Sequence, residues 1–294
     1  MLQCLAVGLA LLLMAVSSGN KEAGRPMEQG DGNEFVIEDG VLIMYTGTDS
    51  EVIVPEEVTS IGDYAFSNCS SLTSITLPNG VSRIGNYAFE QCSSLTRIQL
   101  PSGLASIGNR AFSYCSSLTS LELPSGLTEI GGLAFYDCDS LTNLAVAEGN
   151  VAYQSFHGCL YSAYGEELIC CPAGKKEITL LEGVTSIGDG AFSNCRRLKR
   201  IQLPSGLKNI GNWAFELCSG LSSIELPSGV VSIGDYAFES CIELNRIELP
   251  STVTSIGECA FVYCSSLAIY GETGSYAERY AKENDIPFEP LGGF

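Results

Sequence analysis

Basic residues are scarce in this 294-residue chain: 15 Lys and Arg stand against 34 Asp and Glu, a net charge of -19. No run gathers five or more of these cations, and an acidic protein attracts a negatively charged surface only through local basic patches. Nucleic acid and anionic lipid are therefore not expected as partners. Histidine is scarcer still, with His157 alone. No G-x-S-x-G, phosphate loop or C-x-x-C spacing occurs, so the usual constellations for acyl transfer, phosphate binding and structural zinc are missing. The stretch from Glu28 to Glu57 holds nine acidic residues and no basic one, yet lacks the D-x-D-x-D-G pattern of a calcium loop. No catalytic residue, cofactor or metal site is expected.

Long apolar runs are also missing after Ser18. Residues 1–18 are almost wholly apolar, too short for a bilayer span and of the right length for a secretory signal, although no Lys or Arg precedes them. Residues 19–33 are polar and glycine-rich, as in a flexible leader. The expectation is export without membrane insertion after signal cleavage.

What the chain does have is one phrase written eight times. I-G-x-x-A-F begins at Ile61, Ile84, Ile107, Ile130, Ile187, Ile210, Ile233 and Ile256, and the step from Ile61 to Ile84 is kept throughout each group of four. A fixed period of this size marks a stack of small units, each too small to bury its apolar face alone. The expected architecture is a single elongated α/β solenoid, and a monomer.

One unit supplies the local expectation. Ala88, Phe89, Cys92 and Leu95 recur at spacings of one, three and three, which predicts a short helix or helical turn. Ile98 and Leu100 then alternate as in a strand, and Pro101 ends it. Each coil is thus predicted to give one strand to a single parallel β-sheet face and one helical turn to the other. Eight cysteines, from Cys69 to Cys264, each stand at the same distance after the Ile of their unit. Such a ladder is expected to fill the core as free thiols, because a disulfide framework needs particular Cβ geometry.

The expected divisions run as follows. After the signal and leader, residues 34–60 form an N-terminal cap with a hairpin turning at Glu38-Asp39-Gly40 and a first strand. Residues 61–146 are the first repeat block, 147–186 an irregular repeat, and 187–269 the second block. Residues 270–294 form a C-terminal cap whose helix opens with a capping box, Ser275-x-x-Glu278. In the irregular repeat, Cys159–Ala163 and Leu168–Cys171 flank Tyr164-Gly165-Glu166-Glu167, a second hairpin signal. His157 beside Cys159, Cys170 and Cys171 invites a zinc or thiol-nucleophile role, but the ligand spacing is wrong; a Cys159–Cys171 cross-strand disulfide is the other possibility left open.

The unit I-G-x-x-A-F-x-x-C-x-x-L-x-x-I-x-L-P, first written at Ile61–Pro78, resembles the treponemal-type leucine-rich repeat of BspA-like surface proteins, over about Phe35 to Phe288. Phe156 through Lys175 resembles the family's hairpin insert, D-G-V-L-Y through Y-P-A-G-K, from which His157, Cys159 and Cys171 depart. Tyr270 to Phe288 resembles its C-terminal cap. The resemblance implies export or surface display and adhesion to host matrix or neighbouring cells.

On the predicted sheet, Ile98 and Leu100 face inward, so Arg97 and Gln99 face outward. The same positions in later coils give Ser120 and Glu122, Arg200 and Gln202, Ser223 and Glu225, Arg246 and Glu248. Ser74 and Thr76, and Asn143 and Ala145, extend the strip. Arg is a favoured interface anchor, and solenoids use extended faces for binding. The leading expectation is a partner-binding face for a host or cell-surface protein or glycan. The alternatives are a spacer that binds nothing and, far behind, an enzyme.

Overall fold

The computed structural model describes residues 34–291; the expected signal and leader, residues 1–18 and 19–33, lie outside the described residues. From Phe35 onward the chain winds as a solenoid whose coils repeat at the step of the I-G phrase. Each coil has three sides: a long strand such as Arg97–Gln99, a two-residue strand such as Ser106–Ile107, and a run of turns.

Both strands pair in parallel, one residue position over the same position of the next coil. Ile75 lies on Ile98 in the long ladder, and Ile61, Ile84 and Ile107 are in line in the short one. The single sheet face expected from the sequence is therefore corrected to two. A second parallel ladder of two-residue strands, each ending in the Ile of the I-G phrase, runs beside the first, hidden because two residues show no alternation.

The expected helical turns are also corrected. In the segment after each Ile, two residues adopt left-handed φ, both non-glycine except for Gly190 after Ile187: Tyr64 and Asn68 (61° and 64°), then Tyr87 and Gln91 (55° and 59°). An α-helix needs φ near −63° throughout, so the segment folds as consecutive turns. Cys69 N–H bonds the Phe66 carbonyl and Leu72 N–H the Cys69 carbonyl, each three residues back. The alternate amides point to the next coil, where Tyr64, Phe66 and Asn68 donate to Asn86, Ala88 and Glu90 at 2.7–2.9 Å. Left-handed residues cost about 1–2 kcal/mol each, and this third backbone ladder offsets the cost. A spacing of three suits i→i+3 turns as well as a helix, which is why the pattern misled.

Inside, like side chains stack on like. Phe66, Phe89, Phe112 and Phe135 are stacked at 5.1–5.9 Å, and Phe192, Phe215, Phe238 and Phe261 at 4.8–5.3 Å. The cysteines lie behind them as free thiols, and Cys92, Cys115, Cys138, Cys218, Cys241 and Cys264 donate to the carbonyl of the preceding coil's Phe, as Cys115 does to Phe89 at 3.2 Å. Burial raises the Cys138 thiol to about 12, so it stays protonated and able to donate. Tyr45, on the second strand of the hairpin Phe35–Glu38 and Val41–Tyr45, meets Phe66 at 5.3 Å. At the other end the only described α-helix, Tyr276–Glu283, capped by Ser275, sets Tyr280 edge-on to Phe261 at 6.0 Å.

The residues between Ile130 and Ile187 form a three-stranded meander, Tyr153–Phe156, Cys159–Ser162 and Glu167–Cys170. Its last strand takes the place of a short strand, with Leu168 paired to Ile187. The apolar interior is divided here into two clusters, one ending at Leu160 and the other starting at Cys159.

The glycine of each I-G pair is required by close approach between coils. A Cβ on Gly108 would lie 2.6 Å from the backbone of Gly85 and Asn86, whereas one on Gly103 would be 3.7 Å from its nearest neighbour. Gly108→Ala should therefore destabilise the protein by about 1–3 kcal/mol or more through overpacking, while Gly103→Ala should shift stability by less than about 1 kcal/mol. Urea unfolding of the two variants checks this; equal effects would contradict the close approach.

Candidate functional site

Alternation along the long strand separates the core from the surface. Ile98, Leu121, Ile224 and Ile247 are buried, and the residues on either side of each face solvent. Arg97, Gln99, Ser120, Glu122, Arg200, Gln202, Ser223, Glu225 and Arg246 are exposed, while Glu248 is half-buried. Of the flanking positions, Thr76 and Asn143 are exposed, and Ser74 and Ala145 half-buried.

The structure brings these residues into columns, though not into one unbroken sheet. Ser74 is registered on Arg97, Asn143 on Ser120, and Arg246 on Ser223. The hydrogen-bonded ladder lapses between Gln99 and Ser120, across the meander, and between Gln202 and Ser223. The ten residues therefore occupy four registered segments.

The three arginines differ. Arg246 lies with its guanidinium 3.7 Å from the centre of the Tyr270 ring and 3.5 Å from a Glu248 carboxylate oxygen, so its planar fork is held in place. Arg97 and Arg200 have no ion pair among the described residues.

Around Arg200 the face opens into a groove of about 840 Å³, bordered by His157, Lys175, Lys199 and Glu225, with Ile178, Ile201 and Ile224 beneath. Lys175 and Lys199 are functional candidates missed by the residue-by-residue expectation. The signal was present: Lys176 and Lys199 stand one period apart, and Lys199 belongs to the cation-rich run Arg196-Arg197-Leu198-Lys199-Arg200.

His157 and the cysteines of the insert are not brought together as a site. His157 sits exposed at a turn, φ 49°, stacked on Phe156 at 3.9 Å. Cys159 and Cys171 point inward as buried free thiols with their sulfurs 3.1 Å apart. Burial raises the Cys171 thiol well above its ordinary value, the opposite of what a thiolate nucleophile needs.

The turn side carries a second set of polar groups. Glu216 accepts a hydrogen bond from the Ser193 hydroxyl at 2.7 Å, and burial raises its carboxyl despite that bond and the Arg110 charge. One coil on, burial and then the Glu216 charge push Glu239 up to about 7. Asn194 bridges the insert by donating to the Asp137 carboxylate.

The fold and the exposed long-strand face define a leucine-rich-repeat-type solenoid. The BspA-type leucine-rich repeat region matches residues 44–162 and 171–274 in six copies, and the chain belongs to this family. It is similar in fold to a leucine-rich repeat protein from Eubacterium ventriosum, at 24% identity over 78% of this chain and 77% of that one, TM-score 0.61. It is likewise similar to the pneumococcal vaccine antigen PcpA, at 19% identity over 83% and 80%, TM-score 0.61. No curated protein is significantly similar. The matched family is one of leucine-rich repeats, and no described helix is long and apolar enough to cross a membrane.

The raised Glu239 carboxyl has a stability consequence. Its folded pKa, about 7, lies above the ordinary 4.5, so the folded chain keeps a proton that the unfolded chain has lost. That contribution is complete below pH 4.5 and is lost as pH rises through 7. Glu239→Gln should therefore melt with a smaller drop between about pH 5 and pH 8 than the unsubstituted protein. Identical slopes in thermal unfolding would contradict the assignment.

Proposed function

We propose that this protein is an exported or cell-surface binding module that engages a protein or glycan on host or neighbouring cells through its long-strand face. The observation that supports this most is the outward columns of Arg, Gln, Ser and Glu, set by the backbone register of successive coils. A rigid platform loses little conformational freedom on binding, which favours affinity from modest polar contacts. The BspA-type family match supports export and adhesion. A non-binding spacer would not need unpaired guanidinium groups at Arg97 and Arg200, because exposed charge for solubility is already abundant at a net charge of -19.

Arg97, Arg200 and Arg246 together are the test. Substituting all three by Glu should reduce capture of the protein on immobilised host matrix or cell-surface fractions by about tenfold or more, as loss of interface anchors does. Capture equal to that of the unsubstituted protein would rule the long-strand face out as the binding surface.

A further inference from the structure

The acidic chain has one region of opposite sign. Between positions 175 and 208 there are seven Lys and Arg and three Asp and Glu, a local excess of four positive charges in a protein of net charge -19. The fold draws part of this excess into one place. Lys175, Lys199 and Arg200 border the groove on the long-strand face. Lys176 lies beside them, its carbonyl accepting the Lys199 N–H at 2.7 Å. Glu177, registered opposite Arg200, and Glu225 are the carboxylates on the same groove. Neither closes an ion pair with these cations among the described residues.

We propose that this groove binds a sulfated or carboxylated polysaccharide, the anionic groups of the chain meeting Lys175, Lys199 and Arg200. The proposal rests on the long-strand face being the binding surface and names the partner's chemistry there. Its cations stand on two successive coils about 4.8 Å apart, Lys175 and Lys176 on one and Lys199 and Arg200 on the next, a spacing at which neighbouring charged units of a linear polymer can each meet a cation. Outside this region the chain carries a net negative charge, which disfavours such a polymer there relative to the groove. A folded acidic protein fits less well, because protein interfaces centre on aromatic or apolar anchors in closed pockets, and this groove is open with three isoleucines beneath it. Single-stranded nucleic acid fits less well too: its bases need aromatic platforms, and the groove offers the single ring of His157.

Isothermal titration of the full protein with dextran sulfate, neutral dextran, poly-glutamate and a single-stranded oligonucleotide tests this. Dextran sulfate should bind, weakening as salt rises, with neutral dextran silent and the two other polyanions at least about tenfold weaker. Lys175→Glu with Lys199→Glu and Arg200→Glu should abolish binding, the milder Lys199→Gln with Arg200→Gln should weaken it several-fold, and Arg83→Gln, on the short-strand side, should leave it unchanged. Equal binding of neutral dextran, of poly-glutamate or of the oligonucleotide, or full binding by the groove variants, overturns the inference. If dextran sulfate fails while the Arg97, Arg200 and Arg246 substitutions still reduce matrix capture, the groove inference falls alone. If those substitutions leave capture unchanged, the underlying reading of the face falls instead.

Discussion

Each coil passes its backbone to the next at the same residue position, and the rest of the molecule depends on that one constraint. Three ladders carry it: the long strands, the two-residue strands and the alternate amides of the turns. With the step between coils held constant, Phe must fall on Phe, a Cys thiol on a Phe carbonyl, and one I-G glycine on another. A ladder so complete leaves few buried polar groups without partners, and no buried side-chain nitrogen or oxygen lacks one among the described residues. The left-handed turn residues are the local cost of arranging it.

The meander is where the constraint is relaxed. On the turn side the coil begun at Ile130 meets the coil begun at Ile187, through Asp137 and Asn194. On the strand side three antiparallel strands occupy the gap, and the core is split into two clusters. This irregularity also gives the exposed face its relief. A uniform solenoid presents a flat strip, whereas here the turn at His157 and the Lys175 segment stand beside the Arg200 strand and border a groove.

Much of this was legible in the residues, and the failures share a cause. The period, the burial of the cysteine ladder and the inward–outward alternation at Arg97-Ile98-Gln99 could be read because each is a relation between neighbours or between identical phrases. The turn side could not, because Ala88, Phe89, Cys92 and Leu95 keep a spacing common to helices and to i→i+3 turns, and only backbone φ at Tyr87 and Gln91 tells them apart. Two-residue strands such as Ser106–Ile107 are too short to alternate. The basic groove escaped notice because Lys175 and Lys199 are far apart in sequence and meet only when one coil is laid on the next. His157 and Cys159 mislead in the reverse sense: they are near neighbours in the chain, yet one occupies an exposed turn and the other the core.

Amide hydrogen exchange measured residue by residue tests the central claim most directly. If backbone ladders join the coils on all three sides, the amides of Phe89, Phe112 and Phe215, which donate to Ala111, Ala134 and Ala237 in the next coil, will be protected as strongly as those of the long strands. Exchange of these three amides at the rate of an unstructured peptide, with the strands still protected, would show that the turn side carries no ladder and contradict the fold described.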